Sequence, residues 1–246
     1  MHISITNKQN NIYKEVQMFA RKYLSMFLML VFGITVFTGC SEDDEVMAPV
    51  PSTSKVIVTH ASPDAPGVDV LVDNTIAATN LTFPNSVGYA ELNSGTRNVK
   101  VNVTGTSTTA LEANLNLAAN KNYSVFAVNS VSAIEAIVLE DDLTAPASGK
   151  AHVRFIHLSP DAPAVDITLT DGTVVFGDYT FKEASAFTPL NAATYNLQVR
   201  LAGTSTVVLE LPNIALTAGK IYTVFAKGFV AGTGTQALGA QIIVNN

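Results

Sequence analysis

The residues able to do chemistry cluster in one ten-residue segment that occurs twice. His60-Ala61-Ser62-Pro63-Asp64-Ala65-Pro66-Gly67-Val68-Asp69 recurs 97 residues on as His157-Leu158-Ser159-Pro160-Asp161-Ala162-Pro163-Ala164-Val165-Asp166, with eight of ten positions identical. A histidine, a hydroxyl and two carboxylates are the raw material of a hydrolase triad or of an oxygen-ligated cation site. A triad needs His60, Ser62 and Asp64 to converge within hydrogen-bond reach. Pro63 interrupts the strand between them, and the chain has no Gly-x-Ser-x-Gly elbow. Calcium takes about six to eight oxygen ligands, more than Asp64 with Asp69, or Asp161 with Asp166, can supply. Zinc on His60, His157 and His152 would draw its ligands from two separate copies.

The mechanical reading of the segment is simpler. Each proline fixes its own φ near roughly −65° and removes a donor, and Ser62 before Pro63 is pushed to an extended conformation. Asp64 is placed to accept backbone N–H groups in a turn of its own making. Strand alternation sets His60 and His157 on the apolar face, where a turn carbonyl or a carboxylate is the natural partner. A rigid corner between strands is therefore the expected role of His60, Ser62, Pro63, Asp64, Pro66 and Asp69. The same holds for His157, Ser159, Pro160, Asp161, Pro163 and Asp166.

The elements that position these corners are strands. Val99, Val101 and Val103 alternate with Lys100 and Asn102, and Leu111, Ala113, Leu115 and Leu117 with Glu112, Asn114 and Asn116. The second copy repeats the pattern with Val153/Phe155/His157, Val165/Ile167/Leu169 and Leu197/Val199/Leu201. Gly, Pro, Asn and Asp punctuate the chain at short intervals. The fold class expected is all-β: two tandem immunoglobulin-like β-sandwich domains, with about seven or eight strands per copy. Each sheet is expected to bury one face and solvate the other.

Further repeats fix the domain limits. Gly105-Thr106-Ser107-Thr108 matches Gly203-Thr204-Ser205-Thr206, and Tyr123-Ser124-Val125-Phe126-Ala127 matches Tyr222-Thr223-Val224-Phe225-Ala226. The first repeat runs over 55–142 and the second over 150–246, joined by a linker at 143–149 that follows the acidic Glu140-Asp141-Asp142.

Residues 1–39 read as a signal peptide. Arg21 and Lys22 precede an uncharged apolar stretch from Tyr23 to Gly39, a secretory pattern. Met18 would give a leader of more ordinary proportions than Met1. Phe37-Thr38-Gly39-Cys40 resembles a bacterial lipobox, in which the cysteine is lipidated and begins the mature chain. An uncleaved membrane anchor with an incidental cysteine is the other reading, but Cys40 is the only cysteine present. After it, Ser41-Glu42-Asp43-Asp44-Glu45 resembles the acidic export signal of Bacteroidetes surface lipoproteins; otherwise it is a solvated spacer. Residues 40–54 then form the lipidated cysteine and an acidic, Pro/Ser/Thr-rich tether.

Composition restricts the function classes. Of 246 residues, 48% are hydrophobic and 14% charged, which favours a packed core over disorder. The formal charge is −6. Setting aside four basic and one acidic residue ahead of Cys40 leaves 10 basic and 19 acidic, or −9. A surface of that sign excludes nucleic acid as a partner and leaves membrane contact to the lipid on Cys40. One cysteine excludes a disulfide framework and multi-cysteine metal sites. No cofactor or metal is expected.

The His-x-Ser-Pro-Asp-Ala-Pro-x-Val-Asp opening, the aromatic strands at Tyr123 and Tyr222, and the leader together resemble the bacterial domain-of-unknown-function 4397 family. The resemblance covers residues 55–246 and implies an extracytoplasmic β-domain, often in tandem, with no established activity. The expected function is a non-catalytic, surface-exposed lipoprotein of the outer membrane, used for adhesion, protein binding or structural display. The alternative is a glycan-binding accessory lipoprotein of a polysaccharide-uptake system. Sugar sites stack rings on exposed aromatics, and with no Trp present the candidates are Phe83, Tyr89, Tyr179, Phe181 and Tyr195; alternation places Tyr179 and Phe181 on one face. Gly232-Thr233-Gly234-Thr235 lacks the lysine and helix of a phosphate loop and reads as a hairpin turn.

Overall fold

Apolar and polar residues alternating at a period of two, cut by Gly, Pro and Asn, leave the chain little choice but short extended segments. The computed structural model describes residues 52–246, so the signal, lipidation and export readings on residues 1–45 fall outside the described residues. The first copy forms β1 (Thr53–His60), β2 (Val68–Val72), β3 (Thr75–Leu81), β4 (Ser86–Asn93), β5 (Gly95–Val103), β6 (Thr109–Leu117), β7 (Asn122–Val128) and β8 (Glu135–Glu140). The second forms β9 (Lys150–His157), β10 (Val165–Leu169), β11 (Val174–Tyr179), β12 (Thr188–Asn191), β13 (Thr194–Leu201), β14 (Val207–Ala215), β15 (Ile221–Lys227) and β16 (Gly239–Val244).

Each copy is a sandwich of two four-stranded sheets. The first has the orders β4-β1-β7-β8 and β3-β2-β5-β6; the second repeats them as β12-β9-β15-β16 and β11-β10-β13-β14. The all-β sandwich is as expected, but the strand order is not the immunoglobulin one. Immunoglobulin sheets run A-B-E-D and C-F-G. Lettered the same way, these run D-A-G-H and C-B-E-F. The first strand of each copy lies inside its sheet, parallel to the seventh, with Val56 opposite Tyr123 and Val153 opposite Tyr222. The physical reason is visible in β1 and β9, which carry apolar side chains on both faces and would be wasted at an edge.

The expectation that each sheet solvates one face fails for half of the sheets. Val56, Val70, Val101 and Val125 belong to a core within the first sandwich, and Val153, Ile167, Phe176 and Val199 to one within the second. A third core joins Ile57, Phe126 and Val128 of the first sandwich to Ile156, Leu158 and Phe225 of the second. The Phe126 and Phe225 rings meet edge to face with centroids 6.0 Å apart. Sheets β4-β1-β7-β8 and β12-β9-β15-β16 thus pack on each other, and the parallel strand pair in each is covered on both sides.

Candidate functional site

The repeated segment builds the same corner twice. β1 ends at His60, whose Nε2–H donates to the Pro66 carbonyl at 3.0 Å; His157 donates likewise to Pro163 at 3.1 Å. Asp64 accepts the Val131 N–H at 2.8 Å, and Asp161 the Val230 N–H at 2.9 Å. These donors stand 67 and 69 residues away, in the loops after β7 and β15, so neither aspartate serves a turn of its own making. Rigid prolines hold the carboxylate away from its own backbone and towards the loop beside it. Ser62 and Ser159 are fully buried, and Ser159 Oγ donates to the Gly228 carbonyl at 2.6 Å.

The closing aspartates pin the second repeated motif. Asp166 accepts from the Asp178 N–H at 2.7 Å and the Gly203 N–H at 2.9 Å; Asp69 accepts from Asn80 N–H, Gly105 N–H and Thr104 Oγ1. Gly105 and Gly203 sit at φ +73° and +69°, where glycine bears no steric penalty. The histidine and the two aspartates of each copy, with Ser159 in the second, thus reach for different stretches of backbone instead of one another, while Ser62 Oγ is buried with no hydrogen-bond partner. Burial holds both histidines below the ordinary 6.5, opposed by the proline carbonyls, which keeps them neutral with the proton on Nε2. His152 lies half-buried on β9, apart from that arrangement. Among the described residues, no three His, Cys, Asp or Glu side chains gather as a metal site would require.

A second polar cluster was not foreseen, and it lies between the sandwiches. Arg154 Nη2 meets Asp141 Oδ1 at 2.8 Å with both side chains almost wholly buried. Arg154 also donates to Ser124 Oγ and Thr223 Oγ1; Thr223 donates to Asn245, Asn245 to the Tyr89 hydroxyl, and Tyr89 to Asp141 at 2.6 Å. The ring closes with Ser124 donating to Asp141 at 2.7 Å, and the guanidinium lies 4.5 Å from the centre of the Phe187 ring. Burial beside Asp141 pushes the Tyr89 hydroxyl far up, so it stays a donor. Asp141 belongs to the acidic run read from the sequence as leading into a linker. The available signal was Arg154 sharing its strand face with Ile156 and Leu158.

The aromatic candidates for a sugar platform are spent elsewhere. Tyr179 packs on Phe155 and Phe176 inside the second sandwich, whereas Phe181 joins the core between the sandwiches. β11 ends at Tyr179, so alternation does not carry the two onto one face. Tyr89 is in the buried ring, Tyr195 donates to the Asn191 carbonyl, and Phe83 lies edge-on to His60 under Lys227. Gly232–Thr235 lies in the loop joining the antiparallel β15 and β16, which closes with a single 3₁₀ turn at Gly234–Gln236. Tyr123 and Tyr222 act as matched corners, each hydroxyl accepting a backbone N–H five residues upstream at 3.1 Å.

No curated protein matches the chain. Among solved structures it is similar to the C-terminal domain of AlgF from P. aeruginosa, at 24% identity over 39% of this chain and 98% of that one, with a TM-score of 0.30. It is also similar to a family 26 carbohydrate-binding module from Eubacterium rectale Amy13K, solved with maltoheptaose, at 8% identity over 77% of this chain and 96% of that one, with a TM-score of 0.25. Likeness at these TM-scores carries no argument about this chain. The family model described as a domain of unknown function (DUF4397) matches residues 54–168 and again 168–246, which takes in both copies of the corner, and the chain belongs to that family.

Proposed function

We propose that the chain is a non-catalytic, lipid-anchored module of the bacterial cell surface that presents two rigidly joined sandwiches to a protein partner. One observation carries the reading: in both copies the concentrated His and Asp side chains of the motif serve the fold itself, as Ser159 does in the second. His60, Asp64 and Asp69, and likewise His157, Ser159, Asp161 and Asp166, are hydrogen-bonded to backbone groups, and none is left aimed at a substrate. The anchor rests on the sequence: an apolar leader, a lipobox-like Phe37–Cys40, a lone cysteine and the acidic Ser41–Glu45 behind it. Two copies held in one body present the same loops twice, an arrangement that favours bivalent engagement.

Protease added to intact cells tests the reading. Wild-type chain is expected to be shaved from the cells, Ser41–Glu45→Ala to be protected, and Cys40→Ala to leave the membrane fraction. Protection of the wild type would place the sandwiches inside the envelope and end the surface reading. Retention of Cys40→Ala in the membrane would end the lipid anchor.

A further inference from the structure

The two sandwiches are copies in sequence but not in their interiors. In the first, Val58, Val99, Val101, Leu111 and Val125 close around a void of about 20 Å³. Their counterparts Phe155, Leu197, Val199, Leu209 and Val224 line two cavities of about 190 Å³ and about 160 Å³. A packed interior seldom contains a void larger than a water molecule.

Aromatic side chains account for the difference. Phe155, Phe176 and Tyr179 stand where the first sandwich has Val58, Ala78 and Leu81. Their ring centroids lie 5.6 to 6.5 Å apart, with Phe155 on β9 facing Phe176 and Tyr179 on β11 of the opposite sheet. The three rings form a pillar at one flank and keep the sheets apart. The other flank, between edge strands β14 and β16, is left with exposed apolar residues: Val208 at 38%, Val230 at 53% and Val244 at 52%.

The cavities lie in file. The larger is lined by Val165, Val199, Leu209 and Ala226, and the smaller by Ile167, Leu197, Leu211 and Val224, the next inward residue on each of the same four strands. Their walls carry no charged side chain; His157 and Tyr195 are the polar ones, and both donate to backbone carbonyls. A dry cavity of about 150 Å³ admits benzene, so each of these holds about six carbons. We propose that the second sandwich binds a single unbranched alkyl or acyl chain of about twelve carbons between its sheets. The chain enters past Val208 and Val230 and leaves its polar head in solvent. This goes beyond the display reading and does not depend on it.

The test is displacement of a fluorescent fatty-acid analogue from the full chain by n-alkanols, hexanol to hexadecanol. Affinity is expected to rise about fourfold per methylene and to level off near dodecanol. Val199→Phe and Val224→Phe, which fill the two cavities separately, should each move the plateau to a shorter alkanol, while Val101→Phe in the first sandwich should not. Affinity that climbs without a plateau, or a plateau unmoved in both filled variants, would overturn the site. A Cys40→Ser chain separates the sources of the ligand. Binding by both chains assigns the cavity to free amphiphiles, and binding only by Cys40→Ser assigns it to the acyl group on Cys40. Binding by neither refutes the site.

Discussion

His60 and His157 are each a neutral ring with one proton committed to a proline carbonyl and the other nitrogen buried without a partner. Protonation would place a charge in an apolar corner, and burial holds both groups below 6.5. The unfolded chain therefore takes up these protons first as the pH falls. Stability is complete above about pH 6.5 and declines below it, by at most about 1.4 kcal/mol per pH unit for each histidine until the folded form also titrates. The carboxylates held low by backbone donors, such as half-buried Asp69 and exposed Asp171, lose their contribution only in a lower window, as pH falls through values beneath 3.8. Urea midpoints measured between pH 7.5 and 5 should fall with pH, and His60→Gln should remove about half of the slope. A flat profile would mean the rings are not held neutral by the fold. The corner as a corner was legible in the sequence, because prolines and alternation are local facts. The partners of Asp64 and Asp161 were not, because they lie in loops brought alongside only when β1 pairs with β7 and β9 with β15.

At the scale of the element, the seventh strand of each copy shows what periodicity alone leaves out. Val125 and Val224 obey a period of two, but so do Phe126 and Phe225 on the opposite face, and only Ser124 and Thr223 interrupt an otherwise apolar run. A continuous apolar run is the mark of a strand covered on both sides. Read so, Tyr123–Val128 and Ile221–Ala226 would have announced a second buried layer. The order of strands was less accessible, since it depends on which sheet closes over which. Arg154 on β9 faces the same layer, at the position of Ile57 on β1. Removing one member of a buried pair strands the other, so Asp141→Asn should cost about 3–5 kcal/mol. Arg154→Ile added to it restores the residue type of the first copy and should recover a substantial part of that loss. Chemical denaturation of the two variants decides the matter: a double variant no more stable than Asp141→Asn would show that the ring, not the charge, carries the cost.

The whole molecule behaves as its middle layer dictates. Two duplicated domains on a flexible linker would unfold independently, each with its own midpoint. Here Ile57, Phe126 and Val128 are buried only because Ile156, Leu158 and Phe225 cover them, and the Arg154–Asp141 pair crosses the same boundary. Losing either sandwich exposes that apolar layer and uncovers a charge, so neither is expected to unfold without the other. Calorimetry should give one transition whose calorimetric and van't Hoff enthalpies agree for the pair taken as a single unit. Phe225→Asp adds to the middle layer a second buried carboxylate, beside the Phe126 ring and with no new cation to answer it, and should split the transition into two while each sandwich retains its strands. A wild type that already melts in two steps would mean the middle layer does not couple the copies. The spacing between their repeated loops would then no longer be fixed, and bivalent engagement of one partner would lose its geometric basis.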